Sequence, residues 1–258
     1  TYKSSFHKED NIMNIYSKDL FNKLPECILF DADNTLYSYD FPHAKALEAV
    51  KSKTIKELSV KGDDFDKAFY EARLKVKEKL IGTAASHNRL LYMQKMLELM
   101  GLGSQVLVAL DLEQTYWRVF MQEAELFEGV RDFIDDIRLM SIPIVLITDL
   151  TAQIQFRKMV YFGLDQYFDS IVTSEEAGFD KPNKTPFLIA LEKIGFSGER
   201  IWMIGDNSLN DIKGSREGVG AITLQKIHQG VRKGEGLEKP DLDFNEFREL
   251  RNLLKNLA

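Results

Sequence analysis

Two aspartates separated by a single residue follow a short apolar run near the beginning of the chain. Ile28-Leu29-Phe30 leads directly into Asp31-Ala32-Asp33. An apolar run of this kind is typical of a strand that is buried on both faces of a parallel sheet. The two carboxylates then fall at the carboxyl end of the strand, where open α/β sheets bind their ligands. Because uncompensated carboxylates beside a buried strand cost stability, a divalent cation is the simplest compensation.

Further polar residues follow two more apolar runs, and a lysine precedes the predicted helix between those runs. These residues are Thr148, Asp149, Lys181, Asp206, Asn207 and Asp211. The carboxyl ends of parallel strands point the same way, so their side chains can converge with Asp31 and Asp33. We therefore predict one site built from several strand ends.

The chemistry that this set of residues supports is phosphoryl transfer through an aspartate. Asp31 is the predicted nucleophile, which attacks phosphorus and forms an aspartyl-phosphate. Asp33 is predicted to protonate the leaving oxygen and later to activate water, first as a general acid and then as a general base.

The remaining residues are expected to bind charge. Asp206 joins the nucleophile as a hard oxygen ligand for Mg²⁺. Thr148 and Lys181 are expected to hold the phosphoryl oxygens, and Lys181 also takes part in catalysis by offsetting the charge that develops on them. Asp211 and Asn207 are expected to contact these ligands and not the substrate. Asp211 would orient Lys181 or a metal-bound water.

Each assignment has a structural alternative. Paired carboxylates after a strand often cap a helix or form a turn. Thr148 alone could satisfy backbone groups at a strand end, and Lys181 alone could be a solvated surface lysine. Asp211 could simply favour the N-terminus of a helix.

Hydrophobic periodicity predicts how these residues are positioned. Strands alternate with helices over residues 25–40 and 126–258, which predicts an α/β core with a parallel sheet and right-handed crossovers. Predicted strands lie at 142–148, 168–173, 201–205 and 219–224. Apolar side chains recur at helical spacing over residues 41–125, which predicts a four-helix domain inserted after the first strand. Residues 1–24 form an N-terminal extension, either a short docked helix or a partly disordered segment.

Composition excludes several classes of protein. The chain has 258 residues, enough for a large domain and a smaller one, and its formal net charge of -6 argues against nucleic acid as a partner. The single cysteine, Cys27, excludes an internal disulfide framework, and the 4 histidines lack the spacing of zinc ligands. Apolar runs are too short for a bilayer and no signal-peptide pattern opens the chain, so we expect no membrane partner and a cytoplasmic location. The first residue is Thr1, so we expect a trimmed sequence or part of a longer product.

The motifs resemble those of the haloacid dehalogenase-like hydrolase superfamily, in that family's order, from about residue 26 to 225. They are Asp31-Ala-Asp33-Asn-Thr35, Thr148, Lys181-Pro182 and Gly205-Asp206-Asn207-Ser-Leu-Asn-Asp211. The resemblance implies a Rossmann-like core, a helical cap joined through Leu36 to Tyr39, and the backbone carbonyl of Asp33 as a third metal ligand beside Asp31 and Asp206. Asp149 departs from the pattern, because many relatives carry Asn or Gly there, and its role stays open.

The resemblance implies a Mg²⁺-dependent phosphatase of a small metabolite, such as a sugar phosphate, an acylneuraminate phosphate or a nucleoside monophosphate. Asp33 favours phosphate chemistry, since dehalogenases that resemble the type enzyme lack the second aspartate. A phosphosugar mutase and a catalytically silent binding or regulatory relative are the alternatives. A kinase is disfavoured because the chain has no Gly-rich phosphate loop. The oligomeric state is not predicted.

The polar cluster Ser86-His87-Asn88-Arg89 supplies the candidate specificity residues of the inserted helices. His87 and Arg89 are the residues proposed to contact the part of the substrate beyond the phosphate, with Arg89 as a forked clamp. The alternative is that Asn88 or Ser86 caps a helix and Arg89 lies on its solvated face.

Overall fold

A seven-stranded sheet forms the centre of the molecule in the computed structural model, which describes residues 13–258. The strands are β1 Asn14–Ile15, β2 Cys27–Phe30, β3 Ile144–Thr148, β4 Ser170–Thr173, β5 Ile201–Gly205, β6 Ile222–Lys226 and β7 Leu242–Phe244. Their order across the sheet is β1-β7-β6-β5-β2-β3-β4. Every pairing is parallel except that of β1 with β7. The predicted α/β fold with a parallel sheet is confirmed.

Helices connect these strands and cover the sheet. They are α1 Asp40–Leu58, α2 Gly62–Lys79, α3 Arg89–Leu99, α4 Val106–Glu123, α5 Val130–Leu139, α6 Ala152–Tyr161, α7 Ser174–Ala177, α8 Thr185–Lys193, α9 Gly214–Val219 and α10 Phe247–Leu257. Short 3₁₀ turns lie at Lys18–Leu20, Ala84–His87 and Gly236–Glu238, and a π-helical turn at Ser208–Lys213 runs into α9.

Both faces of the sheet are buried, which explains the continuous apolar runs of its strands. Ile28 and Phe30 of β2 pack into the larger hydrophobic core, whereas Cys27 and Leu29 pack into a second core on the opposite face. Side chains of a strand alternate between the faces, so a strand covered on both sides needs apolar residues at every position.

Helices α1 to α4 follow the first core strand and pack against one another, α1 beside α4 and α2 beside α3. Val50, Phe65, Met93 and Phe120 bury their side chains in the same core that covers one face of the sheet. A four-helix insertion after the first core strand is therefore present as predicted. The limits of the three predicted segments, 1–24, 25–40 with 126–258, and 41–125, stay predictions.

The N-terminal extension adopts an element that its sequence pattern does not indicate. Asn14 and Ile15 pair antiparallel with Asp243 and Leu242 at the edge of the sheet. The described part of the extension is thus a strand followed by a 3₁₀ turn instead of a docked helix. The prediction for residues 1–12 lies outside the described residues.

Several predicted boundaries shift by a few residues. The strand predicted at 219–224 begins only at Ile222, because Val219 ends α9 and Gly220 takes a positive φ of 68° that terminates the helix. β7 and α10 have no counterpart in the sequence prediction. No helix among residues 13–258 combines the length and apolar character needed to cross a bilayer.

Candidate active site

The carboxyl ends of three neighbouring strands line one cavity. β2 lies between β3 and β5, with Phe30 paired to Leu146 on one side and to Ile204 on the other. Strand order reverses at β2, and ligands bind at such switch points in open α/β sheets. The cavity has a volume of about 230 Å³. Its lining includes all the predicted site residues: Asp31, Asp33, Thr148, Lys181, Asp206, Asn207, Asp211, His87 and Arg89.

Lys181 connects the two most buried carboxylates of the site. Its Nζ donates to Asp31 Oδ1 and to Asp211 Oδ1, both at 2.7 Å, and to the carbonyl oxygen of Ile147 at 3.1 Å. Only 3% of Lys181 is exposed, so the alternative of a solvated surface lysine does not describe it. All three donors of the ammonium group are thereby used within the protein.

The turn after β2 presents the first aspartate to the cavity. Asn34 takes a positive φ of 63°, and the amides of Thr35 and Leu36 both donate to the Ala32 carbonyl. The Thr35 hydroxyl donates to Asp31 Oδ2 at 2.9 Å, so each oxygen of the Asp31 carboxylate accepts a hydrogen bond. Rotation of the Asp31 side chain is therefore restricted.

The end of β5 needs a residue without a side chain. A Cβ atom at Gly205 would collide with the side chain of Asp211, which passes directly over this backbone. The Asp211 carboxylate accepts from Lys181 through Oδ1 and from the amide of Asn207 at 3.0 Å through Oδ2. Asp211 is 1% exposed, and through these two bonds it contacts both Lys181 and the β5 turn.

The side chains of Asn207 and Asp149 accept hydrogen bonds from backbone amides and hold two loops of the site. Asn207 Oδ1 accepts from the amides of Leu209 and Asn210, which caps the π-helical turn. Asp149 Oδ1 accepts from the Lys181 amide at 3.0 Å and from the Ser174 hydroxyl at 2.9 Å. The Asp149 carboxylate therefore anchors the Lys181 loop, which gives a structural reason for the carboxylate at this position.

Burial and mutual repulsion shift the acidities of the carboxylates. Burial raises the pKa of Asp31 to about 7, opposed by Lys181 and reinforced by Asp211 and Asp33. Burial, with Asp31 and Asp211 nearby, also raises the pKa of Asp206 well above its usual range. Lys181 shifts the other way: although burial opposes its charge, Asp211 and Asp31 raise its pKa well above the ordinary value. The protein alone thus carries more negative charge here than one lysine offsets.

A divalent cation fits this donor set. Asp31, Asp206 and Asp211 each place a carboxylate oxygen within 4.8 Å of the others. Both Asp211 oxygens already accept hydrogen bonds, whereas no side chain among residues 13–258 donates to the Asp206 carboxylate. Asp206 is therefore the carboxylate with free capacity for a metal ion, whereas Asp31, like Asp211, already accepts a hydrogen bond at each oxygen. Hard oxygen ligands of this kind suit Mg²⁺.

A buried lysine that the sequence prediction missed holds Asp33. Lys158 of α6 is 1% exposed, and its Nζ lies 2.8 Å from Asp33 Oδ1 and 3.2 Å from Oδ2. The Tyr37 hydroxyl also donates to Asp33 Oδ1. The sequence signal was present: Lys158 stands in one row of the helix with Ile154 and Phe162, four residues away on each side, and both are buried.

The predicted specificity residues reach the cavity but use their polar groups within the protein. His87 Nε2 lies 3.1 Å from Asp180 Oδ2, next to Lys181. The terminal nitrogens of Arg89 donate to the His87 carbonyl and the Tyr39 hydroxyl. Asn88 Oδ1 accepts from the Leu91 amide and caps α3, yet Arg89 lines the cavity and not a solvated face.

Two further cations of the cavity wall were also missed. Arg73 and Lys77 follow Phe69 at intervals of four residues, so the three lie in one row along α2, and all three line the cavity. The row lies beside the buried apolar residues of α2, which include Phe65, Ala72 and Val76.

Comparisons with known proteins agree with this geometry. The family described as haloacid dehalogenase-like hydrolase matches residues 25–218. A ribulose-1,5-bisphosphate 5-phosphatase from Halopiger xanaduensis is 34% identical over 205 residues, which are 78% of this chain and 82% of that protein. A glyceraldehyde 3-phosphate phosphatase from Methanocaldococcus jannaschii is 28% identical over 89% of this chain and 97% of its own.

Solved structures share the fold. A HAD phosphatase from Thermococcus onnurineus superposes with a TM-score of 0.68 at 21% identity and covers 88% of this chain and 97% of its own. A 2-haloacid dehalogenase from Pseudomonas syringae gives a TM-score of 0.69, also at 21% identity, over 91% of this chain and 100% of its own.

The chain belongs to the haloacid dehalogenase-like hydrolase family. With its phosphatase-named relatives, this membership makes the protein a phosphoric monoester hydrolase.

Proposed function

We propose that the protein is a Mg²⁺-dependent phosphatase that hydrolyses a small phosphorylated metabolite through a phosphorylated Asp31. The observation that carries the proposal is the position of Lys181 between Asp31 and Asp211. A third carboxylate, Asp206, lies beside this group and has capacity for a metal ion. The cavity of about 230 Å³ is smaller than the ~300–1,000 Å³ of sites for drug-sized ligands, which suits a metabolite.

In the first half of the reaction, an Asp31 oxygen attacks phosphorus while the bond to the leaving oxygen breaks. Asp33 donates a proton to that oxygen as it departs as an alcohol. The positive charge of Lys181, which lies beside Asp31, offsets charge on the transferred phosphoryl group, and Thr148 at the end of β3 can donate to it. A bound Mg²⁺ would supply electrostatic stabilisation of the phosphoryl oxygens and would be held by Asp31, Asp206 and the Asp33 carbonyl.

In the second half, Asp33 takes a proton from a water molecule that attacks the same phosphorus. The bond between Asp31 and phosphorus breaks, inorganic phosphate leaves, and the Asp31 carboxylate is restored. Lys181 keeps Asp31 oriented through both halves, because its contact with Asp211 fixes the ammonium group on the other side. Protons balance over the full cycle, because Asp33 gives one proton in the first half and recovers one in the second.

The relatives supply the first substrates to test. The proteins named ribulose-1,5-bisphosphate 5-phosphatase, glyceraldehyde 3-phosphate phosphatase and phosphoserine phosphatase are 34%, 28% and 29% identical to this chain. Their named substrates are small phosphate monoesters, so a panel should contain these three compounds and 4-nitrophenyl phosphate.

The test is phosphate release with Mg²⁺ by the wild type and by Asp31→Asn, Asp33→Asn and, as a matched control, the exposed Asp165→Asn. Asp31→Asn should abolish turnover, and Asp33→Asn should lower it ~10²–10⁴-fold. Acid quenching followed by borohydride reduction should convert residue 31 to homoserine, which mass spectrometry can locate.

Full activity of Asp31→Asn would refute the covalent mechanism. Formation of an isomeric sugar phosphate in place of inorganic phosphate would favour the mutase alternative.

A further inference from the structure

The cavity has walls of opposite charge. The strand ends contribute aspartates, whereas the inserted helices contribute the cations Arg73 and Lys77 from α2 and Arg89 from α3. None of these three cations has a carboxylate oxygen within 4.0 Å among residues 13–258. Two other basic side chains of the cavity are paired, Lys181 with Asp31 and Asp211, and His87 with Asp180.

The cations of this wall repel one another. Burial lowers the pKa of Lys77, and the neighbouring charges of Arg73 and Arg89 lower it further. Burial, again with Arg89 and Arg73 nearby, lowers the pKa of His43 to about 4, so this cavity-lining histidine is neutral near pH 7. Asp180 is the acidic group that acts on this cluster, since its charge raises the pKa of Lys77, but it also pairs with His87 and is one carboxylate against three cations. An anion from outside would therefore relieve the remaining repulsion.

The terminal nitrogens of Arg89 already donate to the His87 carbonyl and the Tyr39 hydroxyl, and these bonds fix its guanidinium group within the protein. Arg73 and Lys77 make no ion pair among residues 13–258, and they lie four residues apart in one row of α2. Charge-assisted bonds to a phosphate or carboxylate from two adjacent cations combine a guanidinium fork with an ammonium group.

We propose that Arg73 and Lys77 form a subsite for a second anionic group of the substrate, which is then a phosphate monoester that carries another phosphate or a carboxylate. The proposal rests on the proposed function, because the reacting phosphate occupies the wall of Asp31 and Lys181. A substrate with a neutral remainder would leave the cations of α2 uncompensated, whereas a doubly anionic one matches both walls of the cavity.

The test compares two pairs of substrates that differ only in the second anion. Ribulose 1,5-bisphosphate against ribulose 5-phosphate tests a phosphate, and 3-phosphoglycerate against glyceraldehyde 3-phosphate tests a carboxylate. In at least one pair, kcat/KM should be ~10-fold or more higher for the doubly anionic member, chiefly through a lower KM. The pair that shows the preference identifies which anion the subsite takes.

In the double variant Arg73→Ala/Lys77→Ala, this ratio of kcat/KM within the preferred pair should fall towards one. Raising KCl from low to high concentration should reduce the ratio in the wild type and have little effect on it in the variant. Lys75→Ala is the matched control, because Lys75 lies on the same helix but pairs with Glu71 at 2.7 Å outside the cavity. It should leave the ratio and the hydrolysis of 4-nitrophenyl phosphate unchanged.

Equal kcat/KM values within both pairs, or a ratio that survives in the double variant, would overturn the subsite while leaving the phosphatase activity intact. Failure of the wild type to release phosphate from any compound, including 4-nitrophenyl phosphate, would instead refute the proposed function.

Discussion

Lys158 Nζ lies 2.8 Å from Oδ1 of Asp33, a residue 125 positions earlier in the chain. The ammonium group also lies over the rings of Tyr37, Tyr39, Trp117 and Phe120, at 5.3 to 6.0 Å from their centres. Trp117 and Phe120 belong to α4, so the lysine that holds the predicted acid–base residue is enclosed by the inserted helices. The packing of the inserted helices and the orientation of Asp33 are therefore linked by direct contacts.

Replacement of Lys158 by Met should impair proton transfer more than phosphoryl transfer. An alkyl phosphate needs a proton on its leaving oxygen, whereas nitrophenolate leaves readily without one. We expect kcat for an alkyl phosphate to fall ~10-fold or more beyond the loss on 4-nitrophenyl phosphate. Arg157→Met, which changes the neighbouring exposed cation, is the control. Equal losses on both substrates would show that Lys158 only supports the fold.

Replacement of Lys181 by Met should destabilise the metal-free protein. It removes the cation that pairs with two buried carboxylates, and loss of one partner from a buried ion pair costs roughly 3–5 kcal/mol. Mg²⁺ should restore part of this loss, so the increase in Tm on adding MgCl₂ should be larger in the variant than in the wild type. Thermal unfolding with EDTA or MgCl₂ measures both effects. A variant as stable as the wild type in EDTA would contradict the assignment.

Metal replacement should separate binding from activity. Turnover should stop in excess EDTA and return with Mg²⁺. Ca²⁺ should bind and inhibit, because it is larger, takes more ligands and often binds a carboxylate through both oxygens. Such binding would occupy the attacking oxygen of Asp31. Thermal shifts on titration with CaCl₂ report binding, and phosphate release reports inhibition. Undiminished turnover in chelator would exclude a catalytic metal site.

Because of Lys226, the free energy of unfolding should depend on pH in the alkaline range. It is 1% exposed, its Nζ lies 4.3 Å from the centre of the Phe127 ring, and burial lowers its pKa from 10.5 to about 8. The unfolded chain then binds more protons than the folded protein between pH 8 and 10.5, so this residue's contribution to stability rises with pH over that interval. Below pH 8 the folded protein bears the full cost of burying the charge.

Lys226→Met should accordingly raise the free energy of unfolding at pH 7 by about 1–3 kcal/mol, and this gain should shrink as the pH approaches 10. Urea unfolding of the wild type and the variant at both pH values measures the difference, in which contributions from other titrating groups cancel. A gain that is the same at pH 7 and pH 10 would mean that the lysine is not buried in its charged form.

Local patterns in the sequence determined the site's main residues and the class of fold. An apolar run followed at once by Asp31 and Asp33 indicates a strand end, and parallel strands bring such ends to one edge. The same reasoning predicted Thr148 and Asp206 beside them, and these residues line one cavity together with Lys181, which precedes a helix. The four inserted helices were predictable too, because a 3.6-residue period depends only on neighbours along the chain.

Contacts between distant residues decided the rest. Of the apolar residues of α6, Met159 is buried, but Phe156 and Val160 are 49% and 66% exposed while Lys158 is buried. The row that Lys158 shares with the buried Ile154 and Phe162 indicates a buried side of the helix, but it does not indicate that the lysine contacts Asp33. The inserted helices bury Lys158, and the row of Arg73 and Lys77 lines the same cavity as the aspartates. Both arrangements depend on packing across the cavity, which the periodicity of the sequence does not specify.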